Sequence, residues 1–219
     1  MNRYVGSISE FQLEPDGRHA PRITCPPKAI PAPGQYLLAY SPSDPSALFG
    51  AALTPQVILP DGFIAAPPVP AGWSLATPLE LRGPLGKGFH PPGLVRNLAL
   101  AAFGDTAARL LPLIPAAQNI ALFTDLPTPR LPAHIEIQPL AALADALPWA
   151  DFTALDLPLE AIPQLATLPR TGRPIQALIT TPMPCGSLAD CGVCAVKAAR
   201  GYKLACKDGP VFGMNELAF

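Results

Sequence analysis

The amino-acid sequence predicts a β plus α/β protein, in which a small antiparallel β-barrel is followed by a compact parallel α/β domain and a C-terminal cysteine loop. Short apolar runs separated by proline, glycine and aspartate turns fill residues 1–93, as in small all-β units. Strand and helix patterns alternate over residues 94–182, as in a parallel sheet covered by helices. Four of the five cysteines lie in residues 183–219.

The barrel segment is predicted to consist of short strands joined by tight turns. Pro15-Asp16-Gly17 would close the first hairpin, and Asp61-Gly62 would close a later one. Prolines at this density fit the edges and bulges of a sheet rather than its central strands. Cys25 lies far from the other cysteines, and we expect it to be a buried structural thiol. The predicted strand segments are residues 4–13, 22–25, 33–40, 56–65 and 79–83.

The α/β segment is predicted to alternate between strands and helices. A helical stripe runs over residues 104–114, with an N-cap at Asp105 or Thr106. Residues 139–147 predict a second helix. The remaining elements of the alternation are residues 119–124, 135–137, 152–156, 159–165 and 175–180.

Composition and charge narrow the function classes. The chain of 219 residues is 49% hydrophobic and 14% charged, with a formal net charge of −1. A nearly neutral chain offers no electrostatic attraction for nucleic acid or an anionic membrane. So low a charged fraction, where about 25% is usual, indicates either a surface partly covered by a partner or a proline-rich composition. The sequence leaves both open.

Targeting and catalytic motifs are also informative. Asn2-Arg3-Tyr4 leads into mixed polar residues rather than the apolar core of a signal peptide. Prolines interrupt the longest uncharged run, residues 62–79, so we expect a cytoplasmic protein without a membrane span. His19, His90 and His134 are scattered, and the sequence has no G-x-S-x-G, P-loop or His-Glu-x-x-His motif. Hydrolase and nucleotidase functions are therefore not indicated.

The cysteine spacing predicts a metal centre. Cys185, Cys191, Cys194 and Cys206 follow the pattern C-x5-C-x2-C-x11-C. Zinc ribbons use two C-x2-C pairs, whereas three clustered cysteines with a distant fourth approach the plant-type [2Fe–2S] pattern. Glycines beside the ligands would let backbone N–H groups approach sulfur. An iron–sulfur cluster is favoured; zinc stays open, and disulfides are disfavoured in the cytosol.

Residues near the C-terminus carry a family resemblance. Gln176–Gly186 and the ending Cys206-Lys-Asp-Gly-Pro-Val-Phe212, with Glu216-Leu217 after it, resemble the electron-transfer subunits of dihydroorotate dehydrogenase B. These subunits belong to the ferredoxin-reductase-like flavoproteins. Pro33–Tyr36 is similar to their Pro-Gly-Gln-Phe strand, and Gly83–Phe89 to the glycine-rich loop that ends their flavin barrel.

The resemblance implies a shortened ferredoxin-reductase-like fold and a [2Fe–2S] cluster held by the four cysteines. It implies flavin contacts at Gly83, Pro84, Leu85 and Gly86. It also implies a hetero-oligomer, in which an FMN-type dihydroorotate dehydrogenase subunit or another flavoprotein exchanges electrons with this chain, with a place in pyrimidine biosynthesis.

Three departures from the family pattern bear on its cofactors. The first two cysteines are separated by five residues instead of four. No arginine occurs from Ala29 to Leu81, and Leu48–Pro55 stands where the family places its FAD-binding arginine. The first strand–helix turn has one glycine, with Phe103 and Asp105 where NAD phosphates would approach a helix N-terminus. These departures weigh against FAD and, more strongly, against NAD.

Three functional hypotheses follow. The first is a carrier whose [2Fe–2S] cluster relays electrons between a flavin and a partner oxidoreductase subunit. The second is a structural or assembly subunit whose metal site only stabilises the fold of the C-terminal segment. The third is an independent flavin reductase. Lys197, Arg200, Lys203 and Lys207 would either raise the cluster potential or form a solvated face.

Overall fold

The computed structural model describes residues 2–44, 49–93 and 95–219. The strands in this part of the chain form two large β-sheets and one two-stranded sheet. Leu48 begins the segment that stands where the family has its FAD-binding arginine, and it lies outside the described residues. Leu94, the first residue of the predicted α/β segment, also lies outside them.

The first sheet contains the strands β1 (Arg3–Leu13), β2 (His19–Thr24), β3 (Tyr36–Tyr40), β4 (Ala51–Leu53), β5 (Pro55–Leu59), β6 (Gly62–Ala65) and β7 (Pro78–Leu85). It is antiparallel throughout, with the order β4-β3-β7-β1-β2-β6-β5. Its edge strands β4 and β5 are separated in the chain by Thr54 alone, so the sheet curls until its edges meet, as the barrel prediction requires. Its interior is filled by Ile8, Ile23, Leu37 and Phe63.

The other strands form a six-stranded sheet and a hairpin. They are β8 (Val95–Ala102), β9 (Ala117–Phe123), β10 (Glu136–Gln138), β11 (Phe152–Pro158), β12 (Ile175–Thr180), β13 (Ala195–Lys197), β14 (Tyr202–Leu204) and β15 (Val211–Gly213). The six-stranded order is β10-β9-β8-β11-β12-β15. Its first five strands are parallel, and β15 adds an antiparallel edge from the cysteine segment. The chain order reverses between β8 and β11, which is where ligands bind in open α/β sheets.

The helices are short. The predicted helix over residues 104–114 is a 3-10 helix that begins later, at Ala108, and ends at Ala116. Pro112 and Pro115 lie inside it and cannot donate the backbone hydrogen bonds of an α-helix. Thr106 Oγ1 accepts a hydrogen bond from the Ala108 N–H at 3.0 Å, although Ala107 is the N-cap. The other helices are α1 (Leu143–Ala146), α2 (Ala205–Asp208) and the 3-10 turns Pro27–Ala29, Leu140–Ala142, Leu159–Thr167 and Met214–Glu216.

One hydrophobic core joins the barrel, the parallel sheet and the cysteine segment. Tyr36 and Leu38 of the barrel share this core with Cys194, Cys206 and Phe212. The cysteine segment is therefore built into the body of the protein. No described helix has the length and apolar character needed to cross a lipid bilayer.

Candidate iron–sulfur site

The fold gathers the four predicted ligands at one place. Cys185 and Cys191 lie in the loop after β12, Cys194 directly precedes β13, and Cys206 lies in α2. The Sγ atoms of Cys185 and Cys191 are 3.6 Å apart. Cys194 Sγ accepts a hydrogen bond from the Cys206 backbone N–H at 3.5 Å. The ligands thus form two pairs, while Cys25 is buried in the barrel core, as expected.

The two pairs suit a cluster of two metal ions better than one ion. A structural zinc draws four ligands to one centre, whereas each iron of a [2Fe–2S] cluster takes two protein ligands. The donor set therefore fits a [2Fe–2S] cluster, which would be held by Cys185 with Cys191 and by Cys194 with Cys206.

The site has a buried side and an exposed side. Cys194 and Cys206 are 2% and 1% exposed, whereas Cys191 is exposed. Burial, with the neighbouring Cys194, raises the pKa of the Cys206 thiol to about 12. A backbone hydrogen bond at Ala189, followed by weaker contacts, lowers the pKa of the Cys185 thiol to about 7. The positive charge of bound iron would allow the buried pair to ionise.

The ligand loop contains glycines in conformations that other residues rarely adopt. Gly186 and Gly192 have φ values of +47° and +77°, which favour glycine. A Cβ on Gly186 would lie 2.4 Å from Arg82 Nη2 and 2.7 Å from Leu38 Cδ2, whereas a Cβ on Gly192 would meet nothing within 4 Å. Gly186 is therefore required for close packing, and Gly192 only for its conformation.

Two barrel side chains hold the ligand loops. The Tyr36 hydroxyl donates to the Cys206 carbonyl at 3.0 Å. Arg82 Nη2 donates to the carbonyls of Cys185 and Gly186 at 2.7 and 2.6 Å. Neither contact was predicted from the sequence, because an arginine and a tyrosine in β-strands give no local sign of a partner more than 100 positions away.

The cations predicted near the cluster are largely solvated or paired. Lys203 is paired with Glu216. Lys207 Nζ lies 3.3 Å from Asp190 Oδ1, so the acidic residue directly before Cys191 forms an ion pair with this lysine. Lys197 and Arg200 are exposed.

The glycine-rich loop packs against the cysteine segment. The Lys87 N–H donates to the Gly209 carbonyl at 2.5 Å, and Gln35 Nε2 donates to the Gly86 carbonyl at 3.1 Å. A Cβ on Gly86 would lie 2.6 Å from the Gly209 carbonyl oxygen. Three family-like motifs therefore meet here: Pro33–Tyr36, the glycine-rich loop and the C-terminal ending. The flavin contacts of Gly83, Pro84, Leu85 and Gly86 stay a prediction.

A crevice of about 730 Å³ lies between the barrel and the carboxyl ends of β8, β11 and β12. Arg109 occupies its base, where its Nε donates to Asp156 Oδ2 at 2.8 Å and its Nη2 to Asp105 Oδ1 at 2.5 Å. Burial raises the pKa of the Asp156 carboxyl, against the opposing charge of Arg109. The sequence analysis identified Asp105 but missed the buried pair of Arg109 and Asp156.

The described side chains that line this crevice offer little positive charge to a nucleotide pyrophosphate. Among the described residues that line it, Arg109 is the sole cation, and it is already bound to two carboxylates. Asp105 and Glu160 add negative charge to the lining. A pyrophosphate is held by cations or by backbone N–H donors, and the described side chains of this lining supply no unpaired cation. That NAD and FAD are disfavoured stays a prediction.

The fold is ferredoxin-reductase-like, and the four thiols lie in its C-terminal segment. Residues 181–218 match the family described as the iron-sulfur cluster binding domain of dihydroorotate dehydrogenase B. This match confirms the resemblance predicted from the cysteine loop and its ending. No curated protein sequence matches the chain.

Solved structures confirm the predicted fold. An NADH-dependent reduced ferredoxin-NADP oxidoreductase, studied for flavin-based electron bifurcation, is 18% identical with a TM-score of 0.70, covering 97% of this chain and 89% of its own. The ferredoxin reductase in carbazole 1,9a-dioxygenase is 18% identical with a TM-score of 0.60, covering 80% and 68%. Phthalate dioxygenase reductase is 10% identical with a TM-score of 0.55, covering 93% and 77%. Identities this low establish the shared fold alone.

Proposed function

We propose that this chain is an electron-transfer subunit whose [2Fe–2S] cluster relays electrons between a flavin centre and a partner oxidoreductase subunit. The observation that carries the proposal is the pairing of four thiols within the segment that matches the iron–sulfur family. When bound, such a cluster accepts and releases one electron at a time.

The uneven burial of the thiols supports a relay. The Cys194 and Cys206 pair is enclosed by the core, which shields that side from water. The opposite side carries exposed Cys191, and Leu188 and Val193 are 66% and 52% exposed. Apolar side chains around a thinly covered redox centre suit contact with another protein. We place the partner here, as an FMN-type dihydroorotate dehydrogenase-like subunit or another flavoprotein.

Independent NAD(P)H reductase activity is not expected of this chain. The Arg109 network stands at the point in the sheet where a nicotinamide dinucleotide would bind. Electrons would then reach the cluster from a flavin on the partner.

The alternative is a structural or assembly subunit in which the metal only stabilises the fold of the C-terminal segment. A purely structural site has no need for an exposed side or for two separate thiol pairs. The relay is therefore the better explanation of the arrangement.

Metal and flavin analysis of anaerobically purified protein tests the proposal. We expect about two irons and two sulfides per chain and a visible absorption that bleaches with dithionite. One zinc per colourless chain would instead establish the structural alternative. Stoichiometric flavin released by heat would support an independent flavin reductase.

A further inference from the structure

Arg82 is a buried cation without a carboxylate partner in the described part of the chain. It lies in β7 and is 7% exposed, and no ion pair to a described acidic residue involves it. Its Nε has no hydrogen-bond partner among the residues that the structure describes. A buried charge is costly unless an opposite charge compensates it. The position of Arg82 therefore calls for a nearby anion.

The ligand loop lies directly against this cation. Arg82 Nη2 is 2.7 Å from the carbonyl oxygen of Cys185, a predicted iron ligand. Both carbonyls accept hydrogen bonds from Arg82 Nη2, the Gly186 carbonyl at 2.6 Å. The loop is thus oriented with its carbonyl side toward Arg82. Four thiolates around a [2Fe–2S] centre are anionic and become more so on reduction.

We propose that Arg82 is the internal counter-ion of the cluster and the positioning residue of its ligand loop, and that its charge raises the reduction potential. The inference rests on the proposed function, because it needs a cluster at the four cysteines. The physical reason is that a fixed positive charge stabilises the reduced state, which carries one more negative charge, more than the oxidised state.

Burial separates Arg82 from the surface cations near the same site. The Lys207 side chain is 57% exposed and paired with Asp190 at 3.3 Å. Solvent and salt screen such a charge, whereas the charge of Arg82 acts through the protein interior, where the effective dielectric constant is lower. Arg82 should therefore dominate the potential although Lys207 follows a ligand directly in the chain.

The test compares Arg82→Gln, Arg82→Lys and a matched control, Arg3→Gln. Arg3 is the cross-strand neighbour of Arg82 in β1 and is exposed, so the control removes the same charge from a solvated position. Iron and sulfide content is measured first, and the midpoint potential of each loaded protein is then measured by dye-mediated titration. Wild-type protein without a cluster would refute the proposed function; the potentials test the inference separately.

We expect R82Q to lower the equilibrium constant for accepting the electron about tenfold, which is a downward shift of about 59 mV for one electron. The midpoint potential of R82K should shift less, because lysine keeps the positive charge although it lacks the several N–H donors of the guanidinium. The midpoint potential of R3Q should match that of the wild type. If R82Q does not incorporate the cluster while R82K does, the result supports a requirement for a positive charge at position 82 during cluster assembly. A loaded R82Q with the wild-type potential, equal shifts in R82Q and R82K, or failure of both to load would each overturn the counter-ion assignment.

Discussion

Replacing Arg109 by methionine should destabilise the protein strongly, because Asp156 would remain buried without its cation. Asp156 is 0% exposed, and its Oδ1 already has no partner among the described residues. Breaking a buried ion pair from one side costs about 3–5 kcal/mol. For a chain of this size the melting temperature should fall by about 6–20 °C, at about 2–4 °C per kcal/mol. Asp105, whose side chain is 50% exposed, would be solvated by water and add little.

Urea unfolding followed by circular dichroism measures this loss. The matched control is the double variant Arg109→Met with Asp156→Leu, which removes both charges. Replacing both members of a buried pair by apolar groups is often close to neutral, so the double variant should recover most of the stability lost in the single variant.

The pH dependence of the single variant gives a second readout. Without Arg109, burial raises the pKa of Asp156 above its ordinary value of 3.8. The folded variant then binds a proton that the unfolded chain releases, so its deficit shrinks as pH falls toward 4 and grows as pH rises. A deficit below about 1 kcal/mol at neutral pH, against the range expected for a broken buried pair, or one that does not shrink in acid, would refute the reasoning.

Three further predictions concern the site. Cys191→Ser should abolish visible absorption and weaken copurification with the partner, since iron ligation orders the loop. The control Cys25→Ala, in the barrel core, should keep the cluster. Full electron transfer by the colourless Cys191→Ser variant would show that the cluster has no role in the transfer. Gly186→Ala should reduce iron content more than Gly192→Ala, because only the former Cβ meets Arg82 and Leu38; equal iron content in the two variants would contradict this. Calorimetry should find no saturable NADH binding at micromolar concentrations, and a tight isotherm would show that the Arg109 network opens.

The local pattern of the sequence determined most of the elements and the chemistry of the site. Asp61-Gly62 and the alternating apolar runs specify strands and turns through nearest-neighbour geometry, and the predicted hairpin is β5 and β6. The spacing of the four cysteines indicated a cluster before any fold was known, because ligands close in sequence need little tertiary information to meet. The helix over residues 104–114 was predicted less well, since Pro112 and Pro115 convert it to a 3-10 helix.

Tertiary structure alone decided which distant groups meet. Tyr36 reaches Cys206 across 170 positions, Arg82 reaches Cys185 across 103, and Arg109 reaches Asp156 across 47. Periodicity reports only which face of an element is buried, and it carries no information about the partner on another element. The contact of Arg82 with the ligand loop and the buried ion pair at the crevice therefore became visible only when the barrel, the parallel sheet and the cysteine segment packed around one core.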